Sequence, residues 1–296
     1  MDALSLTLLI ISILSSAGRN IFSKYISSYS FGEKRFFLSQ AIIFSTGSFI
    51  SLIFGKISFP AVAPITFIYA FIYGTLLLCA QWCYTVALKR GKTGICSTVY
   101  SLGFIFPTLS GAIFWSEKLT VFNILGILIV IPTIILSGRK KGSAEGMNIG
   151  AYLAPLLIAM LASGGLGIMQ KVQQSSAYAN QKDAFIFLSF LFSAVVSFVG
   201  VLVGHKGAKR TDTQSSTASW LPMMFAAGVG VCFVVCNILN TTLAGRLSSA
   251  LLFPSLNIGT IFLSMLLGIV FFKDKLSKND GAILLLGCAA ILLISI

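Results

Sequence analysis

Three basic residues lie where an apolar sequence would not be expected to carry charge. Of the 21 Lys and Arg residues, all but Arg19, Lys24 and Lys171 fall in short polar connections. At 100° per residue, Ser12, Ser16, Arg19, Asn20, Ser23 and Ser27 share an arc of about 100°, a polar stripe along an otherwise apolar helix. Ser163, Gly167, Gln170 and Gln174 form a similar stripe and align with Ser16, Asn20, Ser23 and Ser27 at an offset of 147 residues. A guanidinium in a narrow cavity pairs with a carboxylate or phosphate in two-point geometry. Lys24 and Lys171 stand near the ends of their runs, where a long stem can also reach the membrane interface, and Arg19 lies only four residues inside Ser23. What separates Arg19 is asymmetry, since its aligned partner is Leu166. Arg19, with Lys171, is therefore expected to draw an anionic or zwitterionic metabolite.

Other polar stripes extend this candidate site. Gln81, Tyr84 and Thr85 share one face, as do Ser97, Tyr100, Ser101 and Thr108. Asn237, Asn240 and Thr241 cluster on a later segment, and Ser249, Asn257, Thr260 and Ser264 share an arc on the next. Each could equally bond a neighbouring helix, a contribution averaging ~0.6 kcal/mol in membranes. The expected substrate-binding set is Ser16, Arg19, Asn20, Gln81, Tyr84, Tyr100, Gln170, Lys171, Asn237, Asn240 and Asn257. All eight acidic residues fall at segment ends or in connections. Carriers of cations, and carriers driven through a buried carboxylate, usually place an acid facing the cavity, so both are disfavoured here.

Several motifs lead nowhere. Gly91-Lys92-Thr93 resembles the end of a phosphate-binding loop, but Val86 stands where that loop needs its first glycine. The pairs Cys79/Cys83 and Cys232/Cys236 have helical spacing without nearby histidines, and the sole histidine, His205, sits in a basic connection. Asn240-Thr241-Thr242 is a glycosylation sequon within an apolar run. No metal, cofactor or catalytic site is expected.

The elements that must position these residues follow from composition. The chain has 296 residues, 56% hydrophobic and 10% charged, against about a quarter charged in a soluble domain. Its formal charge of +13 comes in twos and threes between apolar runs, a topology signal and not a nucleic-acid-binding face. The six cysteines lie inside those runs and read as small hydrophobes. The leader Met1-Asp2 lacks the basic residues of a signal peptide, so the first run is expected to be retained.

Ten runs are expected to cross a bilayer as helices: 3–24, 36–54, 65–88, 93–115, 121–137, 149–172, 184–203, 219–244, 248–272 and 281–296. The fold class is thus all-α and polytopic, one membrane domain of two five-helix repeats, 1–148 and 149–296. The repeat rests on Ser16 to Lys24 matching Ser163 to Lys171, and on Phe114 to Thr120 matching Phe271 to Ser277. An odd number of spans per copy makes the second copy enter from the opposite side, an arrangement common in secondary transporters. The glycines at 74, 103, 111, 164, 228 and 230 are expected to allow close helix packing, and Pro107 and Pro254 to bend spans 4 and 9.

At this point a family resemblance can be named. Ala87-Leu88, Thr93, Pro107 and Glu117-x-x-Thr120-x-x-Asn123-x-x-Gly126, with the looser second set Leu243, Ser248, Pro254 and Asp274-x-x-Ser277, resemble the EamA-type repeat of the drug/metabolite transporter superfamily. The resemblance implies a ten-helix carrier of a small molecule working by alternating access. It places the cavity on spans 1, 3, 4, 6, 8 and 9, and leaves spans 5 and 10 at the periphery, where a homodimer would form.

Basic residues number fourteen in the odd-numbered connections and four in the even ones. The positive-inside bias then puts both termini outside, contrary to the usual arrangement in the family, and an integral position in a bacterial cell membrane is expected. Two other functions stay open on sequence: a flippase-like carrier of a lipid-linked sugar, and a membrane-embedded lipid-modifying enzyme. The second would need a constellation of His, Asp, Glu or Cys near one interface, which one histidine and scattered acids do not supply.

Overall fold

A computed structural model of the chain describes residues 3–28, 33–55, 57, 62–114, 120–138, 149–203, 220–247, 249–274 and 277–295. Every regular element among them is helical. They are α1 (Ala3–Ser28), α2 (Glu33–Phe54), α3 (Pro64–Leu88), α4 (Thr93–Ser101), α5 (Ile105–Phe114), α6 (Val121–Gly138), α7 (Ile149–Ser175), α8 (Lys182–Val203), α9 (Leu221–Ala244), α10 (Ser249–Phe272) and α11 (Lys278–Ser295). Seven of these, α1, α2, α3, α7, α8, α9 and α10, contain stretches long and apolar enough to cross a membrane.

The distribution of side chains is inverted relative to a soluble protein. Phe54, Phe71, Ile113, Val121 and Leu285 are more than half exposed, while Ser12, Ser23, Gln81, Thr85 and Ser264 are buried almost completely. Hydrocarbon around the bundle rewards that arrangement, because a polar side chain facing lipid loses its partners while an apolar one loses nothing. The chain is an integral membrane protein.

The expected fourth span divides into α4 and α5, nine and ten residues long, joined by a 3-10 turn at Leu102–Phe104. Pro107, third in α5, has no N–H to offer the Gly103 carbonyl one turn earlier, and the helix tightens there. Pro254 does not break its helix, since α10 runs continuously past it. Lys24 also fails to end α1, which continues four residues to Ser28. The segments 115–119, 139–148 and 204–219, with Glu117 and His205, lie outside the described residues, as do the side chains of Asn123, Ser249 and Pro254.

The helices pair across the two halves of the sequence. α1 packs on α9 and α10, and α7 packs on α3 and on the α4–α5 pair. α2 packs on α8 and α9, α3 on α8, α4 on α10, and α6 on α11. Phe44, Phe190 and Phe233 meet at the centre of the α2, α8 and α9 contact, with ring centroids 5.6–6.2 Å apart. Where α7 crosses the 3-10 turn, the backbones touch. A Cβ on Gly103 would fall 2.2 Å from the Met160 carbonyl, and one on Gly164 would fall 2.5 Å from the Gly103 carbonyl.

That crossing can be tested against a neutral control. Gly103→Ala is expected to destabilise the protein by about 1–3 kcal/mol, because neither backbone can move aside. Gly281→Ala, with nothing within 4 Å of its added methyl, should match or slightly exceed the parent. Thermal unfolding in detergent compares the two variants directly.

Candidate functional site

The polar stripes of α1, α4, α7, α9 and α10 converge on one cavity of about 100 Å³ in the bundle interior. Seven of the eleven expected site residues line it: Ser16, Arg19, Tyr100, Gln170, Asn237, Asn240 and Asn257. The remaining lining is partly apolar, from Phe104, Phe233, Phe253 and Leu256, and partly hydroxyl, from Ser101, Ser163 and Thr260. On α7 and α9 the cavity reaches Gln170 and Asn240, about one turn from the helix ends at Ser175 and Ala244. It therefore extends from mid-bundle toward the end where α7 and α9 finish and α10 begins.

Arg19 dominates the electrostatics. Its side chain is 5% exposed, and its guanidinium carbon lies 4.9 Å from the ring centroids of both Tyr100 and Phe233 and 5.6 Å from that of Tyr84. One terminal nitrogen donates to the Tyr100 hydroxyl at 3.3 Å and the other to Asn20 Oδ1 at 3.1 Å, while Nε has no partner. An ion pair joins Lys92 and Asp280 far from Arg19, and among the described residues no carboxylate pairs with Arg19. The ring faces supply part of the stabilisation that a carboxylate would otherwise give.

A second polar knot holds the opposite wall. Tyr73 donates to Asn237 Oδ1 at 2.5 Å, Gln170 donates to the Tyr73 hydroxyl at 2.7 Å, and Asn237 Nδ2 donates to the Phe233 carbonyl at 2.7 Å. Asn237 and Gln170 are thus partly used in holding α3, α7 and α9 together. Asn240 and Asn257 each keep an unused group: Ser12 donates to Asn240 Oδ1, leaving its Nδ2, and Asn257 Nδ2 donates to the Phe253 carbonyl, leaving its Oδ1.

Of the other expected residues, Asn20, Gln81 and Tyr84 stand beside the cavity, between it and the end of the bundle where α1 finishes. Asn20 Nδ2 donates to Ser97 and Ser264, clamping α1 to α4 and α10. One turn further, Gln81 donates to Ser23 and Thr85. Lys24 then donates to the Leu88 and Gly91 carbonyls at 2.8 and 2.6 Å, capping the C-terminus of α3 from another helix. Stacked Tyr25 and Phe225 and the neighbouring Phe272 close the same level. We refer to this as the sealed end. Lys171, half-buried on α7, lies outside the cavity lining, on the α7 face that does not carry Gln170 inward.

The turn between α3 and α4 is the fixed point of the seal. Lys92 at the start of α4 makes no side-chain cap, and Asp274 instead accepts from the Thr93 N–H at 3.1 Å. Asp274 is aimed there by Lys273, whose φ of 52° turns the chain sharply out of α10. A left-handed lysine costs about 1–2 kcal/mol relative to helical backbone, so the turn is held by its contacts. Asp280 forms a capping box with Ser277 at the head of α11 and pairs with Lys92.

Tyr73 and Phe233 were not in the expected set. Tyr73 is eleven residues before Tyr84, only about 20° away on the helical wheel, and Phe233 is one turn before Asn237. Periodicity alone could have found both, but a search for polar stripes passes over aromatic rings.

No family model matches the chain, and no curated protein matches it. Among solved structures, it is similar to a protein of known crystal structure over 100% of its own length and 96% of the other chain, with a TM-score of 0.64 at 18% identity. A likeness at that identity shows the fold alone.

The Lys92–Asp280 pair gives the seal a pH dependence. Burial acts to raise the Asp280 carboxyl, but the Lys92 ammonium and the Ser277 donors outweigh it and hold the carboxyl below its ordinary value. Stability from a depressed carboxyl is full above the unfolded-state pKa and is lost as pH falls through the folded one. Asp280→Asn is therefore expected to lower the melting temperature at neutral pH, with the gap to the parent closing on acidification. A gap that stays constant to low pH would show that the carboxylate charge contributes nothing.

Proposed function

We propose that this protein is a secondary carrier that moves a small polar, anionic or zwitterionic metabolite across a membrane by alternating access. The observation that carries this reading is Arg19, a buried cation at the wall of a polar cavity with no carboxylate against it among the described residues. A purely structural arginine in a bundle normally finds an acid or backbone carbonyls, because an uncompensated buried charge costs several kcal/mol. A transient anionic ligand supplies the missing partner. The EamA-type motifs point to the same class, and the paired helix contacts agree with two five-span repeats: exchanging each span for its counterpart five places on turns the α1–α9 contact into α7–α3, and the α1–α10 contact into α7 with α4 and α5. In this reading α4 and α5 form one span, α6 and α11 are the peripheral fifth and tenth, and the ten spans lie in a bacterial cell membrane with both termini outside. The exposed Leu125, Leu128 and Leu285 of α6 and α11 then face lipid or a second copy.

The mechanism follows from the asymmetry between the two ends. In the conformation described, the end bearing Lys24 is closed by Asn20, Gln81 and Lys24, and the cavity points toward the other end. Transport requires the converse state. Lys171 is the sequence counterpart of Lys24, on the matching helix of the second half. In the converse state Lys171 takes up the role of Lys24, reaching the turn between α9 and α10, next to which Gln174 already sits. Arg19 stays at the middle in both states and presents its charge alternately to each side.

The central test is uptake of small anions by proteoliposomes. Arg19→Gln is expected to reduce uptake at least a hundredfold with little loss of folded protein, and Arg19→Lys to retain part of it, since one donor group replaces a fork. Unchanged uptake kinetics in Arg19→Gln overturn the reading.

The seal has its own test through Cys236, which lines the cavity. In oriented vesicles, a membrane-impermeant thiol reagent should modify Cys236 from the side facing the cavity end in the parent. Lys24→Met should add modification from the sealed side, and Lys171→Met should not. Equal behaviour of the two variants would remove the latch assignment.

A further inference from the structure

The charges, the unused hydrogen-bonding groups and the size of the cavity narrow the ligand beyond a small anion. Resting on the carrier reading above, we propose that the cavity takes a short hydroxylated monocarboxylate, a 2-hydroxy acid of two or three carbons.

Charge sets the first limit. Among the described residues Arg19 is the single cation in the lining, and no acid lines the cavity. Lys24 is committed to two carbonyls and Lys171 is outside the lining. One negative charge is therefore balanced. A phosphate monoester, carrying between one and a half and two charges near neutrality, brings an excess into a water-poor site. A zwitterion brings an ammonium that finds no carboxylate, and the two nearest ring faces, Tyr100 and Phe233, are already taken by the guanidinium.

Geometry at Arg19 sets the second. A guanidinium carries five N–H donors in a planar fork. Tyr100 and Asn20 use one on each terminal nitrogen. One hydrogen remains on each terminal nitrogen, while Nε is buried without a partner, so a carboxylate meets the guanidinium at the end that bears the two terminal nitrogens.

The remaining wall sets the third. Asn240 has a spare donor and Asn257 a spare acceptor, with the Ser163 and Thr260 hydroxyls in the same lining. A donor together with an acceptor suits an alcohol, which gives one hydrogen bond and receives another; a plain alkyl group would leave both unanswered. The volume of about 100 Å³ is smaller than that of a cavity that holds benzene, which restricts the guest to one with fewer non-hydrogen atoms than a benzene-sized cavity takes. Glycolate, with five non-hydrogen atoms, combines that charge and hydroxyl at the smallest size, and lactate adds one methyl to it.

The test uses purified protein in lipid nanodiscs with five probes: glycolate, lactate, propionate, alanine and inorganic phosphate. Binding is followed by calorimetry and by the shift in melting temperature, and transport by lactate counterflow in proteoliposomes. Glycolate and lactate are expected to bind at least tenfold more tightly than propionate, which lacks only the hydroxyl, with alanine and phosphate weaker still. Arg19→Gln should abolish all binding. Asn257→Leu should weaken lactate binding at least fivefold more than propionate binding and so erase the preference for lactate, a change that general loss of fold would not produce. If Arg19→Gln fails to fold, Arg19→Lys and Asn257→Leu carry the same comparison. Arg19-dependent binding led by alanine, phosphate or propionate overturns the hydroxy-acid assignment and leaves the carrier reading standing. Absence of any Arg19-dependent binding or counterflow among the five overturns both.

Discussion

The structure depends on how a guanidinium is kept charged inside a lipid-embedded bundle without a carboxylate against it among the described residues. Moving such an ion out of water costs several kcal/mol even after the surroundings relax. Each desolvated ring face returns up to about 2 kcal/mol, and each hydrogen bond to a charged group about 1.5–3 kcal/mol. Tyr84, Tyr100, Phe233 and Asn20 together are of the right order to hold Arg19 in place. They stabilise the charge without cancelling it. A carboxylate in the same position would have given a more stable protein and a neutral cavity. Rings and amides leave a positive potential standing in the one place where the polar stripes of five helices meet.

The same logic of borrowed partners governs the turn between α3 and α4. Helix termini expose unpaired carbonyls at one end and unpaired N–H groups at the other, and most helices satisfy them locally. Here the carbonyls at the end of α3 take their donor from Lys24 on α1, and the first N–H of α4 takes its acceptor from Asp274 beyond α10. The positive side chain meets the negative helix end, and the negative side chain meets the positive one. Neither cap survives separation of α1 or α10 from the turn. The turn is therefore coupled to the positions of two helices distant in sequence, which is the property a bistable closure needs.

The sequence made much of this legible, for a definite reason. Composition fixes the class because lipid forbids charge on the outside, and helical periodicity finds Arg19, Ser16, Tyr100, Asn237 and Asn257 because a polar residue in such a helix must face protein or water. What periodicity does not give is which polar face is used up by a neighbour. Asn20 and Gln81 lie on the same stripes as the cavity residues, yet their hydrogens go to Ser97, Ser264, Ser23 and Thr85. Lys24 reads as a span end because it is charged, and α1 continues past it because the charge folds onto carbonyls of another helix. Tyr73 escapes a search restricted to amides and hydroxyls, although its phenol joins Gln170 to Asn237. Pro107 and Pro254 look equivalent in one dimension, and only the first adjoins a 3-10 turn.

The composition of the seal bears on how the proposed carrier would move. An apolar plug at the level of Asn20 and Gln81 would bury surface that water could not rehydrate without a large cost. Serine, threonine, asparagine and glutamine side chains can exchange their partners for water as the helices part. In membranes such contacts average ~0.6 kcal/mol each, so the amide bonds of Asn20 and Gln81 with the lysine cap amount to a few kcal/mol in all. A gap of that size leaves the alternative state populated between about 0.1% and 10%, within reach of the differential affinity of a small ligand. A seal of several strong ion pairs would have locked the bundle; in the proposed carrier, one of weak amides, set against a cation held at the middle, would allow a bound anion to decide which end is closed.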